Sequence, residues 1–94
     1  MKADARRPLG LKARRILREE LVQTALEKVT EGTESGVREC LEALLNLRTK
    51  PGTPEERLWG NLNGLAAKAL NAIDGGNREE THERLKRIQL MMSH

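Results

Sequence analysis

The sequence contains almost no aromatic residues: Phe and Tyr are absent, and Trp59 is the only Trp. Sites that hold single-stranded nucleic acids stack the bases on aromatic side chains, so this kind of site is disfavoured. Strands favour aromatic and β-branched residues, whereas this chain contains fifteen Leu. A Leu-rich core without aromatic residues predicts an all-α fold.

Cysteine is equally scarce. Cys40 is the only one, which excludes a disulfide within the chain and suits a reducing compartment. No apolar run approaches the roughly 18 residues that a membrane span needs. The first residues also lack the apolar stretch of a secretory signal. We therefore expect a cytoplasmic protein that does not bind membranes.

Residues suited to catalysis or metal binding are few and scattered. Cys40 shares an apolar stripe with Val37 and Leu41, which favours a small buried side chain over a nucleophile. Glu79 and His82 have the spacing of half a di-iron carboxylate motif, but the second half is missing. The glycines match neither a P-loop nor a dinucleotide-binding fingerprint. We expect no enzymatic activity, no metal and no cofactor.

Charge is distributed unevenly along the 94 residues, a length that indicates a single domain. Residues 1–18 carry seven basic side chains and one acidic side chain, a net charge of +6, while the remaining 76 residues have a net charge of −3. A basic segment can bind phosphates with release of counterions or attract an acidic partner, and it can also simply aid solubility. The candidate binding residues are Lys2, Arg6, Arg7, Lys12, Arg14, Arg15 and Arg18.

The chain divides into a flexible basic arm, residues 1–10, and a single helical domain, residues 11–94. Pro8 and Gly10 interrupt any helix in the arm. Beyond it, apolar residues recur every three to four positions and predict four helices. These helices begin near residues 11, 34, 54 and 78, and the second ends near Arg48. Because the connections are short, we expect a small antiparallel bundle of two helical hairpins.

Local signals mark the helix boundaries. Gly32 is suited to end the first helix, while Thr53 with Glu56 and Asn77 with Glu80 have the spacing of capping boxes. The predicted inward stripes include Ile16 and Leu17 in the first helix and Leu58 and Leu62 in the third. The Asn-Gly sequence at residues 63–64 leaves open a break or kink in the third helix.

Small residues follow one face of that third helix: Gly60, Gly64 and Ala67. Gly inside a helix costs roughly 0.5–1 kcal/mol relative to Ala, so two on one face indicate a close approach by another helix, from this chain or a partner. The predicted interface residues are Trp59, Gly60, Gly64, Ala67, Leu90 and Met91.

Two functional hypotheses follow from these patterns. The first is a non-enzymatic interaction protein, such as an adaptor, inhibitor or regulatory modulator, that binds a protein partner and forms a homodimer. The alternative is a nucleic-acid-binding protein whose basic N-terminal segment contacts the phosphate backbone with little sequence preference.

Overall fold

The computed structural model of the protein describes residues 10–47 and 52–93, and within these ranges it contains helices and no strand. The helices are α1 (Leu11–Glu31), α2 (Glu34–Asn46), α3 (Pro54–Asp74) and α4 (Arg78–Met92). The prediction of an all-α fold with four helices is confirmed. The predicted arm lies outside the described residues except for Gly10, which immediately precedes α1.

The four helices surround one core. Each helix packs against the next along the chain, and α4 also packs against α1. The largest fully buried apolar side chains are Leu41, Leu44, Leu62, Leu85, Ile88, Val22 and Val37. None of the helices in the described ranges combines the length and the apolar character that crossing a membrane requires.

Helices α1 and α3 end with the same backbone geometry. Gly32 and Gly76 have φ values of +84° and +80°, in the left-handed region that glycine adopts without strain. In each case this geometry lets two amide groups satisfy carbonyls of the last turn. The bonds run from Gly32 to Val29 (3.1 Å), Thr33 to Lys28 (2.9 Å), Gly76 to Ile73 (3.0 Å) and Asn77 to Ala72 (2.8 Å).

This similarity extends through both helix pairs, α1–α2 and α3–α4. Gly76 follows Gly32 by 44 residues, and the same offset relates buried residues of the first pair to buried residues of the second. The equivalent residues are Val22 and Ala66, Ala25 and Ala69, Val29 and Ile73, Val37 and Thr81, Leu41 and Leu85, and Leu44 and Ile88. The chain is therefore built from two similar helix pairs. One equivalence differs in charge, because Arg18 occupies the position that corresponds to Leu62.

The two predicted capping boxes have different outcomes. At α4, Asn77 Oδ1 accepts a hydrogen bond from the Glu80 amide (3.1 Å), and Asn77 Nδ2 donates to Glu80 Oε1 (3.4 Å). The Asn77–Glu80 cap is therefore confirmed. At α3 the Thr53 side chain makes no N-cap hydrogen bond, so this half of the predicted Thr53–Glu56 capping box is wrong. Glu56 Oε1 accepts a hydrogen bond from the Gly52 amide (3.0 Å).

Three details of the predicted helices are wrong. Ile16 and Leu58 are each 48% exposed instead of buried. The buried face of α1 contains Arg18 and Val22. Ile16 lies on a different face of this helix and therefore points away from the core. Helix α2 ends at Asn46, before the predicted end at Arg48.

The possible break in the third helix is not present. Helix α3 is continuous through residues 60–64. Leu62 and Ala66 are both fully buried, one before and one after the Asn-Gly sequence. Their packing stabilises the helical backbone against the turn preference of that sequence.

Candidate interaction surfaces

The basic residues of the N-terminal segment divide into three groups. Lys2, Arg6 and Arg7 lie outside the described residues. Lys12 and Arg15 are exposed on α1. The other two, Arg14 and Arg18, turn towards the start of α3.

Arg14 and Arg18 both bind the carboxylate of Glu55. Arg14 makes a bidentate contact, with Nε 2.8 Å from Glu55 Oε2 and Nη2 2.6 Å from Oε1. Arg18 Nη1 lies 2.6 Å from Oε2. The Arg18 and Glu55 side chains are only 4% and 6% exposed, so this ion pair is shielded from water. These two arginines link the first part of α1 to the start of α3.

The environment of this ionic cluster favours its charged form. The hydrogen bond to Glu55 raises the pKa of Arg14 above its ordinary value, although burial acts in the opposite direction. Glu55 lies in the first turn of α3, where the helix dipole stabilises a negative charge. The guanidinium carbon of Arg18 also lies 4.5 Å from the centroid of the Trp59 ring, in cation–π geometry. The cluster is thus a fixed, charged element of the fold.

The small-residue face of α3 is open. Gly60, Gly64 and Ala67 are all exposed. A Cβ atom built on either glycine has no neighbour within 4 Å. In the part of the chain that the structure describes, no other helix therefore approaches this face, and the predicted close contact with another helix of this chain is not formed there.

The other predicted interface residues lie in different environments. Trp59 is 2% exposed and belongs to the core, whereas Leu90 is 64% exposed. Met91 is half-buried and packs against the core. Of these three side chains, only that of Leu90 is largely exposed.

A small apolar pocket opens where α1 and α3 begin and α4 ends; we call it the Trp59 pocket. It has a volume of about 290 Å³. Trp59, Leu62 and Met92 supply buried apolar surface, and half-exposed Leu58 also lines it. Arg15, Arg18 and Glu55 complete its charged side. The sequence did not predict this pocket, because it depends on the contact between Glu55 and two arginines on another helix.

A larger groove between α1 and α4 has a different chemical character. Its volume is about 630 Å³, and its lining includes Glu19, Glu20 and Gln23. Gln89 lines it as well, and its Nε2 donates a hydrogen bond to Gln23 Oε1 (2.9 Å). Apolar side chains, those of Ile16, Val22 and Met92, line the groove together with these polar groups.

Groups with catalytic potential are dispersed. Burial, and next the negative charge of Glu39, raise the pKa of the half-buried Cys40 thiol, which lowers the thiolate fraction at neutral pH. Among the described residues, no three His, Cys, Asp or Glu side chains are placed to hold a metal ion.

Comparisons with known proteins identified no relative: no family model, curated protein or solved structure matches this chain. The arguments for its function therefore come from its own residues.

Proposed function

We propose that this protein is a non-enzymatic interaction module, an adaptor, inhibitor or regulatory modulator that binds other proteins through exposed helix faces and forms a homodimer. The proposal includes an antiparallel arrangement of the four helices in one bundle. Two contacts support that arrangement. Gly32, at the end of α1, lies against Arg78 at the start of α4, whereas Ile16 and Met92 line one groove at the opposite ends of these helices.

The observation that carries the proposal is the open small-residue face of α3. An exposed Gly inside a helix lowers stability by roughly 0.5–1 kcal/mol relative to Ala. Gly60 and Gly64 are exposed, lie one turn apart and contact no other part of the described chain. Small residues at this spacing permit two helix backbones to approach closely, which supports a helix of a second molecule as the occupant.

The test replaces both glycines by alanine. In the isolated chain, Gly60→Ala with Gly64→Ala raises the free energy of unfolding by about 1–2 kcal/mol, because both sites have room for a methyl group. In the dimer, the same methyl groups separate the helices, and overpacking of about 1–3 kcal/mol raises the dissociation constant by about 5- to 150-fold. A variant that is more stable but associates less is the expected result.

Sedimentation equilibrium over a range of concentrations measures this association, and urea unfolding measures the stability. Ala43→Leu is the matched control, because Ala43 is an exposed small residue on α2. It leaves the association unchanged. A monomeric mass at every concentration excludes the homodimer, and an unchanged dissociation constant in the alanine variant excludes this face.

Nucleic-acid binding is the second candidate, supported by the exposed side chains of Lys12 and Arg15 next to the basic residues 1–9. Arg14 and Arg18 contribute less to it, since both bind Glu55. A salt series with labelled duplex DNA tests this candidate. In a plot of log affinity against log salt concentration, the combined variant Lys12→Ala with Arg15→Ala makes the negative slope shallower by about 2. Each phosphate contact contributes roughly 0.9 to that slope. An unchanged slope excludes these two residues as phosphate contacts.

A further inference from the structure

The Trp59 pocket leaves apolar side chains accessible beside basic ones, whereas the charged residues of the α1–α4 groove are acidic. Leu58 is 48% exposed at the pocket, whereas Leu62, one turn later, is fully buried. An accessible apolar recess beside a few fixed polar groups is the usual form of a recognition site. Its volume of about 290 Å³ lies just below the range of small-molecule pockets, roughly 300–1,000 Å³, and suits a single apolar side chain.

The charged side of the pocket is basic. Arg15 lines it, and the Arg15 side chain is 65% exposed, with one ion pair at 3.9 Å to Glu19 on the same helix. The buried side is formed by Arg18 and Glu55, and Arg14 shares the same carboxylate. Two arginines and one glutamate give this buried cluster a net charge of +1, and Arg15 remains accessible to an anionic group from outside. This charge pattern selects an acidic occupant.

The same charge pattern argues against the apolar residues of this chain as occupants. Leu90 is the most exposed large apolar residue described, at 64%, but it follows Lys86 and Arg87. Insertion of Leu90 from a second copy would bring these cations towards Arg15. Residues 1–9 carry three basic side chains and one acidic side chain, so their charge does not match the pocket either.

We propose that the Trp59 pocket binds an apolar side chain from an acidic amphipathic helix of a partner protein, with a partner carboxylate bound to Arg15. This inference deepens the proposed function and rests on it. The Arg14–Glu55–Arg18 cluster acts as a positioning element, since it fixes Trp59 and the start of α3 beside α1 before the partner arrives. The small-residue face on α3 takes no part in this contact.

The probe is a pair of synthetic amphipathic peptides, one built from Leu and Glu and the other from Leu and Lys. Neither contains Trp, so the fluorescence of Trp59, the only Trp in the protein, reports on the pocket alone. The Leu/Glu peptide shifts the Trp59 emission in a saturable way, and the Leu/Lys peptide does not. Equal binding of both peptides, or no shift with either, overturns the proposal.

Variants of the full chain locate the contact. Leu58→Ser and Arg15→Glu each weaken binding of the Leu/Glu peptide at least tenfold, and Arg15→Glu also strengthens binding of the Leu/Lys peptide. Arg15 is exposed, so this variant retains the fold even if Leu58→Ser does not. The matched controls, Leu90→Ser and Arg87→Glu, keep the affinity of the unmodified protein. If they weaken binding as much as the pocket variants do, the pocket is not the site.

A dilution series without peptide tests the remaining possible occupant of the pocket, a second copy of this chain. If the Trp59 emission changes with protein concentration alone, a second copy fills the pocket and the proposal is overturned. Failure of the peptide experiments leaves the association measured with the Gly60 and Gly64 variants unaffected, because those residues lie on another surface. The proposal for the Trp59 pocket and the proposed function can therefore be refuted independently of each other.

Discussion

Removing the charge of Glu55 tests how strongly the ionic cluster holds the bundle together. In Glu55→Gln, Arg18 keeps its buried position but loses the carboxylate that lies 2.6 Å from its Nη1. Breaking a buried ion pair by neutralising one partner costs about 3–5 kcal/mol, because the other charge remains away from water. A chain of 94 residues has a total stability of about 5–14 kcal/mol, at 0.05–0.15 kcal/mol per residue. The substitution therefore removes a large share of the stability.

Urea unfolding, followed by far-ultraviolet circular dichroism, measures this loss. Glu56→Gln is the matched control, because Glu56 lies in the same first turn of α3 but is exposed. Both variants lose the favourable interaction with the helix dipole, about 0.3–1 kcal/mol, and only Glu55→Gln leaves a buried cation without its carboxylate. If the two variants unfold within about 0.5 kcal/mol of each other, a difference typical of ordinary surface substitutions, the reasoning is refuted.

A combined substitution separates the net contribution of the pair from the penalty for breaking it. Arg18→Met with Glu55→Leu replaces the pair with apolar side chains. Such replacements are often neutral or stabilising by about 1–4 kcal/mol. The double variant is therefore more stable than Glu55→Gln, and a double variant that unfolds more easily would contradict this account.

Four further predictions concern the helix caps and the free thiol. Asn77→Ala lowers the free energy of unfolding by about 1 kcal/mol, because the amide of Glu80 loses its capping acceptor; urea unfolding checks this. Gly32→Ala costs about 1–2 kcal/mol through its positive φ, with a small addition because the new methyl group must displace the end of the Arg78 side chain, and the same assay measures it. Cys40 reacts more slowly with iodoacetamide in the folded protein than in urea, since burial raises the pKa of its thiol. As the pH rises above about 8.5, the unfolded chain releases this proton before the folded chain does, so stability falls, and Cys40→Ala reduces that fall.

The helices and their boundaries were predictable because the chemistry that sets them is local. Gly32 and Gly76 lie where the chain needs a left-handed residue, and Asn77 caps the helix that begins one residue later. Each of these signals needs only a few neighbouring residues. All four helices accordingly begin where the sequence predicted, near residues 11, 34, 54 and 78.

The candidate sites were harder to predict because they depend on contacts between distant residues. Arg18 binds Glu55 across 37 positions of sequence, and charge alone does not indicate that an arginine is buried. The same contact accounts for the exposure of Ile16 and for the charged side of the Trp59 pocket. The similarity of the two helix pairs was not predicted either, because it emerges only when the burial of residues 44 positions apart is compared.

Two similar helix pairs in one chain create a risk of mispairing between molecules during folding. A first pair from one chain could pack against a first pair from another, since most of the equivalent buried positions are compatible. The difference between Arg18 and Leu62 opposes this, because a homotypic assembly of first pairs would bury arginines without Glu55. A homotypic assembly of second pairs would bury Glu55 without its arginines. The ionic cluster thus makes correct, heterotypic pairing within one chain the favoured outcome.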